Sequence, residues 1–230
     1  MTGYRRGAYT PDGDVFDIGY TTRQALLKIE RGAPREEWGV SRPTCGGLMR
    51  NFPVAVYTLC LSLEEALRWT HEYSRVTHSH PESMMAAGLH TAAVRAVFAG
   101  LDKRGVIEEV AGVLQDYYQR HPVMGEYARH FSYLLETPIP RPWSASCRAS
   151  VMLQAALWAF QEGKDYRETV MLAVGLGDDT DTVGAVAGSL AGAYYGEKSI
   201  PRGWVQSLRG LELVQGISLK LLGALVARCR

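Results

Sequence analysis

Charge of one sign is missing from this sequence. Twenty-five basic and 24 acidic residues leave a net charge of +1, and no run of like charge stands out to form a binding tail. That balance gives no electrostatic reason to expect nucleic acid or an anionic membrane as a partner. Long apolar runs are missing too. The longest apolar, small-residue stretch runs from Val183 to Tyr195, short of the ~20 residues that a membrane span needs. The opening residues, MTGYRRGAYTPDGD, are polar and lack the apolar core of a secretory leader. The four cysteines (Cys45, Cys60, Cys147, Cys229) are scattered, with no CxxC. They point to reduced thiols in a cytoplasmic protein. Strand-like alternation bounded by hairpin turns is absent, and no repeat of fixed period is visible.

What is present is apolar material at helical spacing. The chain has 230 residues, 47 % hydrophobic and 21 % charged, enough for one large domain with a real core. After an irregular, glycine-rich opening to Gly13, TTRQALLKIERG predicts an amphipathic helix with Thr21 or Thr22 as N-cap and Gly32 as its stop. GAPREEWGVSRPTCGG predicts a loop. Leu48 to Trp69 is apolar, and Glu64–Glu65 opens a further helix. Pro81 suits the first turn of a long helix to about Leu101, because its missing N–H costs nothing there. Leu101 to Tyr118 has helical spacing, and TPIPRPWSASC is a proline-rich connection. SVMLQAALWAFQEG, DYRETVMLAVGLG, GAVAGSLAGAYYG and Leu208 to Val226 supply the remaining helices. The expectation is an all-α fold, one compact domain over 1–230 with no internal linker.

Four motifs carry chemistry. The strongest is LGDDTDTVGAVAGSLAGAYYG. Asp178, Asp179 and Asp181, with Thr180 and Thr182, stand immediately before a helix on which Gly184, Gly188, Gly192 and Gly196 share one face. Glycine costs about 1 kcal/mol per helical position relative to alanine, so four in register predict close approach of another helix. Capping accounts for one or two of the acidic and hydroxyl residues. Three crowded carboxylates point to a cation, and oxygen-only ligands favour Mg²⁺, Mn²⁺ or Ca²⁺. The second motif is THSHPES, where Ser79 or Thr77 would cap the following helix and two histidines can line a loop. The third is CGGLMRNFP, whose adjacent glycines permit close backbone approach. The fourth is FDIG, which places Asp17 just before Gly19 and a helix start.

Together FDIGYTTRQAL (Phe16 to Leu26), CGGLMRNFP (Cys45 to Pro53), THSHPES (Thr77 to Ser83) and LGDDTDTVGAVAGSLAGAYYG (Leu176 to Gly196) resemble the ADP-ribosylglycohydrolase family, in the family's order. AALWAF (Ala155 to Phe160) and Ile200–Pro201 with Trp204 look similar too. The resemblance implies an all-helical fold with a Mg²⁺ or Mn²⁺ site at the base of a cleft. On it, Asp179, Asp181 and Thr182 match metal ligands. His78 matches the residue that contacts the substrate ribose, and Cys45, Gly46, Gly47, Leu48 and Met49 fall in the loop that wraps ADP-ribose. Asp17 matches an acidic catalytic residue. The implied function is hydrolysis that removes ADP-ribose from an ADP-ribosylated protein or a small ADP-ribose conjugate. The alternatives are a non-catalytic ADP-ribose-binding module and a structural, crystallin-like homologue.

Two departures belong with that resemblance. Family members carry an upstream Thr-Asp-Asp motif with further metal ligands, and no Thr-Asp-Asp precedes Asp178 here. The family's glycine loop often has Asn-Gly where this chain has Cys45-Gly46. The first predicts one weakly held ion in place of two.

Overall fold

The computed structural model describes residues 6–15 and 17–229. Phe16, which opens the FDIG motif, and residues 1–5 of the irregular opening lie outside the described residues. The described chain is all-helical: α1 (Tyr20–Glu30), α2 (Phe52–Tyr57), α3 (Leu63–Arg75), α4 (Pro81–Phe98), α5 (Lys103–Val113), α6 (Ala149–Glu162), α7 (Tyr166–Val174), α8 (Thr180–Tyr195), α9 (Arg202–Gln206) and α10 (Leu211–Arg228). Between α5 and α6 lie a π-helical turn (Leu114–Tyr118) and a 3₁₀ segment (Met124–Leu135), and short 3₁₀ turns occur at Arg35–Glu37, Cys45–Gly47 and Glu197–Ser199. The Met124–Leu135 segment was not foreseen from the sequence.

The centre of the molecule is α4. PESMMAAGLHTAAVRAVF is apolar and small on every side, the composition of a helix surrounded by others. It packs on α2, α3, α5, α6 and α8, and residues such as Met85, Leu89 and Val94 are fully buried. Each large side chain of this kind contributes about 1.5–3 kcal/mol through removal from water. Gly88 leaves room for the buried Tyr118 hydroxyl, which meets His71 Nε2 at 2.7 Å.

The ends of the helices differ from expectation in informative ways. Helix α1 starts at Tyr20 with Gly19 as N-cap and no side-chain capping bond. Thr21 is instead buried, with its hydroxyl 3.3 Å from that of Thr44. The cap of α4 is His80, whose Nδ1 accepts from the Glu82 N–H at 3.2 Å, rather than Ser79 or Thr77. In α3 the expected acidic opening is a full capping box between Ser62 and Glu65. Cysteine usage also departs: Cys60 and Cys229 form a disulfide across 169 residues, while Cys45 and Cys147 are free. Nothing local announces that pairing. It follows from α10 lying against α2, where Arg228 stacks over the rings of Tyr57 and Trp69. Among the described residues no helix is long and apolar enough to cross a membrane.

The glycine ladder of α8 faces α7. A Cβ on Gly184 would lie 3.3 Å from Val174, one on Gly188 would lie 3.3 Å from the Tyr166 hydroxyl, and one on Gly192 would lie 3.7 Å from Tyr166. Gly196 stands apart: it ends the helix with φ +82° and has open space around it. Replacing Gly188 with leucine should therefore cost about 1–3 kcal/mol through overpacking against Tyr166 and Val170. A denaturation midpoint equal to that of the parent protein would contradict this packing.

Three histidines in this interior, His71, His78 and His90, have their pKa lowered from 6.5 to about 4. Burial disfavours the charged ring in each. His71 also faces His121 and Arg75, and His78 faces Arg50. In the unfolded chain these rings take up protons near pH 6.5; in the folded chain they stay neutral down to about 4. Protons thus favour the unfolded state in that window. Their contribution to stability is intact above 6.5 and is lost progressively as pH falls toward 4. Urea unfolding at a series of pH values should show net proton uptake on unfolding at about pH 5. Stability that stays flat between about pH 7 and 5 would contradict it.

Candidate active site

The glycine loop is a 3₁₀ turn, Cys45–Gly47, held from three sides. The Ser83 hydroxyl in the first turn of α4 reaches the carbonyls of Arg42 and Thr44 at 3.0 and 2.9 Å. The Cys45 N–H donates to the Cys147 carbonyl at 3.0 Å, and the Ala149 N–H donates to that of Pro43 at 2.9 Å. Isolated bridges Thr44–Arg148 and Ala145–Asp178 extend this stitching. The end of the proline-rich connection therefore lies between the glycine loop and the start of α8.

The two glycines are explained by what presses on them. A Cβ on Gly46 would lie 2.7 Å from Cε1 and Nε2 of His78, and one on Gly47 would lie 2.5 Å from Ser74 Oγ. The close approach predicted for this loop is thus made, in the protein itself, by His78 and the last turn of α3. His78 is 2 % exposed. Its Nδ1 lies 2.7 Å from the Thr77 hydroxyl, which in turn accepts from Arg50 Nη2 at 2.6 Å. The Thr77 hydroxyl can accept from Arg50 and still either donate to Nδ1 or accept from it, and Nε2 is the ring nitrogen against Gly46. His80, by contrast, caps α4 and packs edge-on against Tyr127.

The acidic motif begins with two left-handed residues, Gly177 (φ +80°) and Asp178 (φ +56°). They turn the chain from α7 into α8, and the Asp179 N–H then donates to the Ala145 carbonyl at 3.2 Å. Asp179 occupies the N-cap position but makes no side-chain capping bond. Its carboxylate instead lies 3.5 Å from Cys45 Sγ. Thr182 is buried, and its hydroxyl faces the Met49 sulfur at 3.6 Å. Asp181, in the first turn of α8, is exposed. The crowding of three carboxylates expected from the sequence does not occur. Among the described residues the ligand atoms that cluster in threes within 4.8 Å are those of Cys45, Cys147 and Asp179, not those of Asp178, Asp179 and Asp181. The left-handed turn at Asp178 sets that residue apart from the helix. Burial first, and then Cys147 and Asp179, push the Cys45 thiol well above its usual range.

Among the described residues the hydrogen-bond partners of the Asp179 carboxylate and the Thr182 hydroxyl are sulfur atoms, which are weak hydrogen-bonding groups, and Asp181 stands beside them in sequence at the start of α8. Asp17 is exposed, in the segment leading into α1, and the Thr21–Thr44 contact brings that end of α1 to the glycine loop. Leu48 is buried beneath the loop.

Several residues that build this place escaped sequence reasoning. Glu82 is fully buried; it receives Arg148 Nε and Nη2 at 2.8 Å each and the Ser150 hydroxyl at 2.7 Å. Arg50 and Thr77 orient His78, and Cys147 adjoins Cys45 at 3.6 Å. Apart from the adjacent Thr77–His78 contact, these are long-range pairings. The local signals were Glu82 and Thr77 inside THSHPES and Arg50 inside CGGLMRNFP.

Residues 1–230 match the family model described as ADP-ribosylglycohydrolase. The chain is 30 % identical over 232 residues to the ADP-ribosylarginine hydrolase Tri1 of Pseudomonas putida, covering 95 % of this chain and 57 % of the relative. It is 27 % identical over 197 residues to the ADP-ribosyl-[dinitrogen reductase] glycohydrolase of Rhodospirillum rubrum, covering 84 % and 60 %. A solved structure titled ADP-ribosylglycohydrolase-related protein complex superposes with a TM-score of 0.75 at 30 % identity, over 92 % of this chain and 70 % of that one. The chain thus spans about 57–60 % of the length of these two curated relatives.

Proposed function

This chain belongs to the ADP-ribosylglycohydrolase family, and from that premise we propose that it hydrolyses the glycosidic bond between ADP-ribose and a protein or small-molecule acceptor. The observation that carries the proposal is the convergence of three separate motifs. His78 packs on Gly46, Cys45 meets Asp179, and Met49 meets Thr182. A glycine loop, a buried neutral histidine and an oxygen donor set thereby share one place. Three motifs scattered over a merely structural helical protein would have no reason to do so.

Asp179, Asp181 and Thr182 would hold Mg²⁺ or Mn²⁺. Such an ion supplies Lewis acidity and a template for hydroxyl and water oxygens. The rest falls to this chain's own side chains. His78, buried and neutral across the physiological range, would support the glycine loop from the side opposite the ligand. The loop Cys45, Gly46, Gly47, Leu48 and Met49 offers backbone to a ligand on the face away from His78. Asp17, exposed and carboxylic, would take a proton from the attacking water or return one to the leaving group. Carboxylates at the start of α8 favour the positive charge that develops on the sugar ring as its glycosidic bond breaks.

The P. putida relative is named an ADP-ribosylarginine hydrolase, so arginine is the first acceptor to try. The chain should be incubated with ADP-ribosyl-arginine and ADP-ribosyl-serine in Mg²⁺ or Mn²⁺, with released ADP-ribose measured. Release from one substrate, slowed by His78→Ala, supports the reading. Binding of ADP-ribose without any release would replace it with a binding module, and neither binding nor release would overturn it.

A further inference from the structure

The residues that cluster most tightly around the site carry sulfur. Cys45 Sγ lies 3.6 Å from Cys147 Sγ and 3.5 Å from Asp179 Oδ2, and the three ligand atoms all lie within 4.8 Å of one another. From this geometry we propose a second metal-binding mode, in which Cys45, Cys147 and Asp179 form three corners of a tetrahedral site for a thiophilic divalent cation of the Zn²⁺ class. The inference is independent of the hydrolase reading.

The edge lengths argue for it. Zn–S bonds of about 2.3 Å and Zn–O bonds of about 2.0–2.2 Å at tetrahedral angles require S···S of about 3.8 Å and S···O of about 3.5 Å. The two observed separations, 3.6 and 3.5 Å, already sit near those values. Little movement is needed to close the triangle around an ion. The donors also come from three stretches fixed to one another by main chain. Cys45 N–H binds the Cys147 carbonyl, Asp179 N–H binds the Ala145 carbonyl, and bridges join Thr44 to Arg148 and Ala145 to Asp178. Ordering such a site costs little conformational entropy, because the fold has already fixed it. Cys147 is exposed while Cys45 is buried, so an ion can enter from the Cys147 side, and water or a ligand oxygen can take the fourth corner. Two thiolates and a carboxylate select Zn²⁺-like ions over Mg²⁺, which prefers oxygen throughout. On binding, both thiols release their protons to solvent, leaving an S₂O donor set that carries three negative charges against the ion's two positive.

One consequence links this mode to the oxygen donor set: Asp179 cannot serve both fully. A thiophilic ion held by Cys45 and Cys147 would draw the Asp179 carboxylate toward the glycine loop and away from Asp181.

Co²⁺ is the probe. Added to the full chain with the Cys60–Cys229 disulfide intact and two free thiols counted, it should give thiolate-to-cobalt charge-transfer absorption that saturates at one ion per chain. Zn²⁺ should abolish that absorption stoichiometrically, and millimolar Mg²⁺ should leave it. Cys147→Ser, a change at an exposed position that should fold normally by circular dichroism, should lose the band and weaken Co²⁺ binding on the order of 100-fold. Asp181→Asn should keep the band. No charge-transfer band in the parent chain, or a band unchanged in Cys147→Ser, overturns the proposal. Either outcome leaves the hydrolase reading standing, because ADP-ribose release is measured separately.

Discussion

Replacing Glu82 with alanine is expected to destabilise the protein by about 3 kcal/mol, the low end of the range for breaking a buried ion pair. Glu82 has no exposed surface, and its two oxygens are saturated by the Arg148 guanidinium and the Ser150 hydroxyl. Removing it leaves the Ser150 hydroxyl and N–H without their acceptor and opens a void at the start of α4. The cost stays at the low end because the Arg148 side chain is 46 % exposed and can turn to water. For a chain of this size the melting temperature should drop by about 6–12 °C. Glu82→Gln keeps the shape and an acceptor for Ser150 but loses the charge, so it should fall between parent and alanine. Burial alone would raise the Glu82 pKa, yet the hydrogen bonds from Arg148 and Ser150 and the Arg148 charge hold it below the usual range. A lowered folded-state pKa means that this contribution is present above the unfolded carboxylate value and disappears as pH falls through the folded one. Thermal melts of the three proteins at neutral pH decide the matter, and a Glu82→Ala midpoint equal to that of the parent would refute the account.

The Glu82 pair also shows what could and could not be read from the sequence. Helix identity was legible wherever apolar residues recurred at helical spacing over more than two turns. Helices α1, α4, α6, α7 and α8 lie where that spacing put them. The segment Met124–Leu135 also carries apolar residues at helical spacing, with Met124, Ala128, Phe131 and Leu134 buried, a signal that went unread; it forms a 3₁₀ run. Caps were less legible, because Thr21 spends its hydroxyl on Thr44 and Thr77 spends its own on Arg50 and His78 instead of on a helix end. A side-chain oxygen near a helix start does not reveal which backbone group it will meet, since that choice is made by tertiary neighbours.

At the site the same division holds. The glycine pair, His78 and the Asp-rich start of α8 were visible as local motifs, and the resemblance put them in one cleft. The long-range pairings around them were not visible. Glu82 with Arg148, Cys45 with Cys147 and Ala145 with Asp178 are pairings across distant chain segments, and two of them run through a proline-rich stretch with the look of a passive connection. The repulsion argument for a metal also failed in detail. It assumed that three carboxylates adjacent in sequence are adjacent in space, whereas among the described residues they do not gather within 4.8 Å of one another. The disulfide between Cys60 and Cys229 is of the same kind, a consequence of where α10 docks and of nothing local.

Asp181→Asn is expected to lower ADP-ribose release by a factor on the order of 10² or more while leaving the fold intact. The size follows from ligand count. Altering a group that merely orients a metal ligand costs about 10–100-fold, and on the proposed reading Asp181 is itself one of three protein oxygens available to a cation that prefers six. Its removal leaves one carboxylate and one hydroxyl. The stability effect should be small, because Asp181 is exposed and its chief structural role is a favourable charge in the first turn of α8, worth about 0.3–1 kcal/mol. Asp179→Asn makes a sharper contrast. Asp179 also faces Cys45, so its loss should impair both Mg²⁺-supported hydrolysis and any thiophilic ion binding. Asp181→Asn should impair only the first. Raising Mg²⁺ or Mn²⁺ should recover part of the rate in Asp181→Asn if the defect is metal affinity, and none if the carboxylate acts on the sugar directly. Hydrolysis rates across a metal titration, with melting temperatures as the control for folding, test both. An Asp181→Asn protein that releases ADP-ribose at the parent rate without added metal would remove Asp181 from the site, and the oxygen donor set with it.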